Sequence, residues 1–170
     1  MNVYHGNNDF ECHRPCPPLC PPCPPCPCPA IEPGSTAIYL ATNQFVSDSG
    51  WVGLGTSSSP SLFTLSTVTL PVDVKIVGLI LNIRDNTIPA ETNVTAEIFT
   101  SPCGFTDPVS TGITATITGP SNAETANCLA TGTGSVVVTQ GSLLSVRLTT
   151  SQGIGVLNRG VAVTVFTTIP

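Results

Sequence analysis

Charge is what this sequence has least of. Only 9% of its 170 residues are Asp, Glu, Lys or Arg, against about a quarter in an average soluble domain. Lys75 is the single lysine, and the net charge is −5. That excludes the basic footprint by which a protein holds nucleic acid. So few charges also argue against a freely soluble monomer, whose surface normally carries many Lys and Glu. Long apolar runs are missing too. The longest, Ile76-Val77-Gly78-Leu79-Ile80-Leu81, falls far short of the ~20 residues of a membrane-spanning helix, so no membrane partner is expected. Residues 1–13, MNVYHGNNDFECH, have no basic start and no apolar h-region, which predicts a chain without a signal peptide.

Catalytic equipment is equally sparse. The two histidines, His5 and His13, both lie in the N-terminal segment. A nucleophilic triad needs a histidine positioned in a folded pocket, which a proline-flanked tail does not supply. Asp73, Asp85, Glu91, Glu97 and Asp107 are placed at strand ends or turns, as solvated carboxylates rather than acid–base pairs. No phosphate-binding, dinucleotide or zinc-protease motif is present. The expectation is a protein that is not an enzyme and holds no cofactor.

What is abundant is proline and cysteine, and they are concentrated. Residues 1–34 hold six of the eight cysteines and ten of the seventeen prolines. The centre runs Cys12-His-Arg-Pro-Cys16-Pro-Pro-Leu-Cys20-Pro-Pro-Cys23-Pro-Pro-Cys26-Pro-Cys28-Pro29. Proline lacks the backbone N–H, fixes φ and pushes its predecessor to extended geometry, so neither helix nor sheet is expected there. Polyproline II is predicted instead, with three residues per turn, reaching roughly 50–55 Å between residues 12 and 29. Gly34 and Ser35 supply a hinge.

That spacing restricts what the cysteines do. Cys20, Cys23 and Cys26 fall on one edge of such a rod with Cα atoms ~9 Å apart. A disulfide needs them within about 7 Å. Their expected partners therefore lie on another chain or another domain, and Cys12, Cys16 and Cys28 join them as inter-subunit candidates. A zinc reading needs the chain to curl around the ion, and the Pro-Pro spacers resist that, so no metal site is expected. A redox pair of the Cys-x-x-Cys kind needs a helix start, and none is predicted. The Cys-Pro-Pro triplets imitate collagen's Gly-X-Y with Cys for Gly. A tight triple helix is excluded because only glycine fits its axis, but three rods around a wider axis remain open. Cys103 and Cys128 stand apart, in loop-like sequence. Either they form one intradomain disulfide, or one of them receives a rod cysteine from the next subunit.

Residues 36–170 are rich in Thr, Ser and β-branched side chains, punctuated by Gly, Pro and Asn. Short strands are predicted at 36–42, 50–54, 61–70, 72–83, 93–100, 112–118, 135–139, 143–150 and 160–168. Val161, Val163 and Val165 alternate with Ala162, Thr164 and Thr168, and Val146 and Leu148 with Arg147 and Thr149. Turn chemistry sits between strands, at Asp73, Gly119-Pro120-Ser121-Asn122, Gln140-Gly141 and Asn158-Arg159-Gly160. Gly132-Thr-Gly134 and Gly153-Ile-Gly155 are read as turn glycines, and Trp51 with the few Phe residues as core. Asn93-Val-Thr95 matches a glycosylation sequon and falls in a predicted strand. Eight or nine short antiparallel strands without a helical period define an all-β jelly roll or sandwich. The domains predicted are an N-terminal connector arm, 1–35, and a β domain, 36–170.

One run breaks the alternation. Between Val74 and Ile83 apolar residues occupy both faces, as in a strand buried on two sides. It is either a central strand under a long loop or a subunit interface. The low charge favours the interface, with Ile76, Val77, Leu79, Ile80 and Leu81 as its candidates.

Certain stretches of the β half resemble the C-terminal domain of the collagen-like glycoproteins of the Bacillus exosporium, of the BclB type. They are Ser49-Gly50-Trp51-Val52-Gly53-Leu54-Gly55, the strand pair 63–70 and 75–83, and the tail 153–169. The resemblance covers about residues 36–170 and implies a trimeric jelly roll. The N-terminal half has no Gly-X-Y region. A short cysteine-rich connector ahead of a jelly roll is similar instead to the endospore appendage (Ena) pilus subunits. Their connectors reach into neighbouring subunits and cross-link them. This double resemblance implies a disulfide-stabilised, self-assembling fibre subunit on the spore surface, in the exosporium or coat. It would be made in the mother-cell cytoplasm and oxidised later. Its partner would be itself, as a homotrimer and then a head-to-tail polymer, with a spore-coat or exosporium protein as anchor. The alternative is a trimeric exosporium glycoprotein or tip adhesin anchored by its arm.

Overall fold

A computed structural model describes residues 34–54, 62–84, 87–102, 107–122, 126–151 and 157–170. The connector arm, but for Gly34 and Ser35, lies outside the described residues. Nine strands follow: β1 (Thr36–Thr42), β2 (Trp51–Val52), β3 (Val68–Thr69), β4 (Val74–Ile83), β5 (Asn93–Ser101), β6 (Val109–Thr118), β7 (Leu129–Val138), β8 (Leu143–Thr150) and β9 (Val161–Thr168). They form two sheets, in the orders β1-β9-β4-β7 and β2-β8-β5-β6, with β3 also on β8. Every pairing is antiparallel. Strands β2 and β3 share one sheet, as do β5 and β6; every other pair of chain-adjacent strands lies in opposite sheets, and the first and last strands pair. This is the double Greek key of a jelly roll, and the all-β expectation holds.

The core lies between the sheets. Leu40, Ile76, Leu79, Leu81, Val94, Ile98, Val146, Leu148, Val161 and Val165 are at most 1% exposed. Burying each such side chain stabilises the fold by about 1.5–3 kcal/mol. The period of two along β9 puts Val161, Val163 and Val165 inside, and Val146 and Leu148 of β8 lie inside, as their alternation predicts; Ser145 between Leu144 and Val146 is buried as well.

The run 74–83 owes its apolar density to a bulge. The register of β4 shifts between Ile76 and Gly78 against both neighbours. One extra residue reverses the parity of everything after it. Val74 and Ile76 point inward before the shift, and Leu79, Leu81 and Ile83 after it. Ile76, Leu79 and Leu81 are therefore core within one chain rather than interface residues. Gly78 completes the bulge, since a Cβ there would lie 2.6 Å from the Gly132 carbonyl oxygen.

Two further expectations are corrected. Residues 61–70 are not one strand: Phe63–Ser66 is a 3-10 turn and only Val68–Thr69 is extended. Nor does that segment pair with β4, because β3 lies on β8 in the opposite sheet. Gly132 and Gly134 are not turn residues but sit inside β7. There β7 crosses so close to β6 that a Cβ on Gly132 would stand 1.9 Å from the Thr114 carbonyl oxygen. Gly153 and Gly155 lie outside the described residues.

The strands share two ends. The starts of β1, β4, β6 and β8 and the ends of β5, β7 and β9 lie at one end, where Thr36 pairs with Thr167, Lys75 with Thr168 and Ser101 with Leu143. At the other end Thr42 pairs with Val161, Asn93 with Thr118 and Asn82 with Leu129. A ten-residue strand such as β7 separates them by roughly 30 Å.

Candidate interaction surface

Outward side chains of the β1-β9-β4-β7 sheet line up in rows set by the register. Tyr39, Thr164, Ile80 and Thr131 make one row, and Ala37, Phe166, Gly78 and Thr133 the next. Ala41, Ala162, Asn82 and Leu129 follow on one side, and Thr168, Lys75 and Val137 on the other. Strands ~4.8 Å apart make this a continuous, gently twisted surface. Lys75 is the one charge in these rows. Tyr39, Leu129 and Val137 are 68%, 56% and 61% exposed, and Val77, Ile80 and Phe166 are half-buried.

The other sheet presents a different outer face. Its rows read Thr116, Thr95, Thr149 and Thr114, Glu97, Arg147, Trp51. The hydroxyls of Thr95 and Thr116 are 2.9 Å apart, and Thr118 donates to Asn93 Oδ1 at 2.8 Å. Ser110 donates to Glu97 Oε1. Glu97 thus lies mid-strand on β5, not at a turn. Trp51 is covered rather than displayed. Phe63 and Phe99 meet it edge-on with centroids 5.1 Å away, and the Arg147 guanidinium sits 5.9 Å over its ring. Trp51 and Phe63 are buried as expected, but in a satellite cluster outside this sheet, apart from the main core. The Ser145 hydroxyl donates to the Val52 carbonyl at 3.1 Å, and Ser66 to that of Phe63 at 3.3 Å, so polar groups beneath the 3-10 turn are satisfied.

Of the five apolar interface candidates, then, Val77 and Ile80 face outward and three are core. Tyr39, Phe166, Leu129 and Val137 join the outward pair. The alternation of 161–168 contained the signal for Phe166, which has the parity of Thr164. Among the cysteine candidates, Cys12, Cys16, Cys20, Cys23, Cys26, Cys28 and Cys103 lie outside the described residues. Cys128 is half-buried with a free thiol, just before β7. Its carbonyl accepts the Ile83 N–H at 3.0 Å. Asp73 caps the β7–β8 turn by accepting the Gln140 N–H at 2.7 Å, and Asp48 accepts that of Thr150 at 2.8 Å. Asp85 lies outside the described residues. Among those described, no three His, Cys, Asp or Glu side chains gather as metal ligands.

The arrangement defines a jelly-roll domain with one apolar and one hydroxyl-bearing outer face. No family model and no curated protein matches the chain. Solved structures do. Eiger TNF from S. frugiperda is 10% identical with a TM-score of 0.41, over 81% of this chain and 94% of that one. The globular domain of a zebrafish complement 1qA protein is 14% identical with a TM-score of 0.41, over 79% of this chain and 96% of that one. These are likenesses of fold at low identity.

Proposed function

We propose that the protein is a non-enzymatic structural subunit that trimerises through the outer face of its β1-β9-β4-β7 sheet. The trimers polymerise into a disulfide-stabilised spore-surface fibre, the N-terminal arm docking into the next trimer. The observation that carries this reading is the contrast between the two outer faces. An apolar surface holding Tyr39, Val77, Ile80, Phe166, Leu129 and Val137 with a single charge is what a self-associating face requires. The arm supports the second level of assembly, because Cys20, Cys23 and Cys26, separated by Pro-Pro, are expected ~9 Å apart in polyproline II, too far to pair with one another. A contact between unlike ends does not close, and so extends into a filament.

Two measurements test the two levels. Ile80→Asp with Phe166→Asp is expected to reduce the sedimenting mass from three chains to one, while Thr95→Asp with Thr116→Asp leaves it at three. A trimer that survives the first pair sinks the assigned face. Negative-stain microscopy of the air-oxidised protein, alone, is expected to show thin fibres with an axial repeat. Discrete trimer-sized particles would favour the anchored adhesin.

A further inference from the structure

The two edges of the apolar sheet are shaped in opposite ways. β1 forms one edge and β7 the other, with β9 and β4 between them, three strand spacings of ~4.8 Å apart. On β1 the outward side chains run Ala37, Tyr39, Ala41, which is small, large, small. Tyr39 stands 68% exposed between two half-buried alanines. On β7 the order of sizes is reversed. Leu129 and Val137 are large and exposed, and the exposed residues between them are Thr131, Thr133, Gly134 and Ser135. One edge carries a knob, and the other a stretch of small residues bounded by large ones.

Register puts the two at matching heights. Tyr39 shares its row with Thr131, Ala41 with Leu129 and Ala37 with Thr133. The large residue of each edge is thus level with a smaller one on the other. Backbone groups at these heights already have neighbours within the chain. The Ala41 N–H is taken by the Gly53 carbonyl at 3.1 Å, and the Thr114 carbonyl of β6 lies against Gly132 of β7. What the two edges offer a partner is side chains rather than a ladder.

We propose that Tyr39 of one copy seats on β7 of the next, over Thr131 and beside Leu129, and that this contact of unlike edges closes the trimer. The inference rests on the trimer reading and names its contact. A ring joins two different patches on each subunit, whereas a two-fold pair uses one patch twice. Rotation about an axis along the strands leaves each residue at its own height, so Tyr39 arrives opposite Thr131 and Leu129 opposite Ala41. Pairing β1 with β1 would set one Tyr39 on the other, and pairing β7 with β7 would leave its small stretch uncovered. Seated on β7, the tyrosine ring leaves water against Leu129, while its hydroxyl keeps a polar partner in threonine or solvent.

The test uses the full chain with p-benzoylphenylalanine in place of Tyr39, kept reduced so that no disulfide joins chains. The sample is sedimented, irradiated and run on a denaturing gel. The expected products are covalent species of two and three chains, with the new bond mapped by mass spectrometry to residues 129–133. A second measurement uses natural side chains at these two exposed positions. Tyr39→Glu and Thr131→Lys, each alone, are expected to weaken association about tenfold, as loss of an anchor residue does, and the two together to recover most of that loss. A trimer that gives no inter-chain product, or whose cross-links fall on β4, on position 39 of another chain or on the second sheet, overturns this contact and leaves the trimer reading standing. So does a double variant that associates no better than the worse single one. An unsubstituted chain that sediments as a single copy overturns the trimer reading, and this contact with it.

Discussion

The two outer faces of this sandwich are built from strands of the same period and both carry threonines, yet only the first sheet adds a set of large apolar side chains to them. On the β1-β9-β4-β7 sheet the outward rows carry Tyr39, Ile80, Phe166, Leu129 and Val137. On the β2-β8-β5-β6 sheet they carry Thr95, Thr116, Thr149 and Glu97. Both faces enclose one core, so stability of the single chain does not explain the difference. Threonine satisfies a strand's preference for β-branched residues while keeping its hydroxyl in water, and the second sheet uses it that way. The first sheet spends its outward positions on side chains that gain from leaving water. Its other apolar neighbours, Val77 and Ala162, extend the same surface. The second sheet has its own apolar cluster, Trp51, Phe63 and Phe99, but closes it within the chain beneath a 3-10 turn.

The contrast can be broken outright by preventing the sheets from closing. Gly132→Val places a branched side chain against the Thr114 carbonyl, where even a Cβ would stand 1.9 Å away. Backbone lies on both sides of that contact. The expected cost exceeds about 4 kcal/mol, seen as loss of cooperative urea unfolding and of the near-ultraviolet dichroism of Trp51. A cooperative transition within about 1 kcal/mol of the parent would show that β7 can move off β6.

A sharper comparison uses neighbouring residues on one strand. Leu81 is wholly buried and Ile80 faces outward. Leu81→Ala is expected to destabilise the single chain by about 3 kcal/mol, the loss of a buried side chain plus the cavity left behind. Ile80→Ser should cost the single chain under about 1 kcal/mol but remove the rise of Tm with protein concentration that assembly confers. Equal effects from the two in dilute solution would mean that Ile80 is covered within one chain.

The smallest effect belongs to the polar face. Arg147→Ala removes a guanidinium from above Trp51, worth about 0.5–1 kcal/mol at a partly exposed site. Urea midpoints should fall accordingly, with the assembled mass unchanged. A change of mass would place a subunit contact on the second sheet.

Legibility in the sequence followed locality. β1, β8 and β9 matched their expected positions to within a residue, because clean alternation in each reports one buried face. The run 74–83 misled because a bulge is invisible in composition. It has both faces apolar by count, yet its inward residues are Val74, Ile76, Leu79, Leu81 and Ile83. Residues 63–66 coil where Phe63 seats edge-on against Trp51, a residue of another strand. Gly132 and Gly134 carry ordinary turn composition. Their placement in β7 is set by the clearance from β6, a strand ending more than ten residues earlier. Of the outward apolar residues, Val77 and Ile80 stand in the run that the sequence singles out, whereas Tyr39, Phe166, Leu129 and Val137 lie in strands it does not mark. The arm cysteines were conspicuous from spacing alone.

By itself the sequence determined the all-β class and the inward residues of its regular strands. It also determined the segregation of cysteine and proline into one terminal segment. Each follows from covalent geometry or from a period of two along a local stretch. Only the tertiary structure decided which apolar residues share an outer face, and that Cys128 lies a strand's length from the root of the arm. A face and an end are made by register between strands far apart in the chain, and register is fixed by the packing of the whole core.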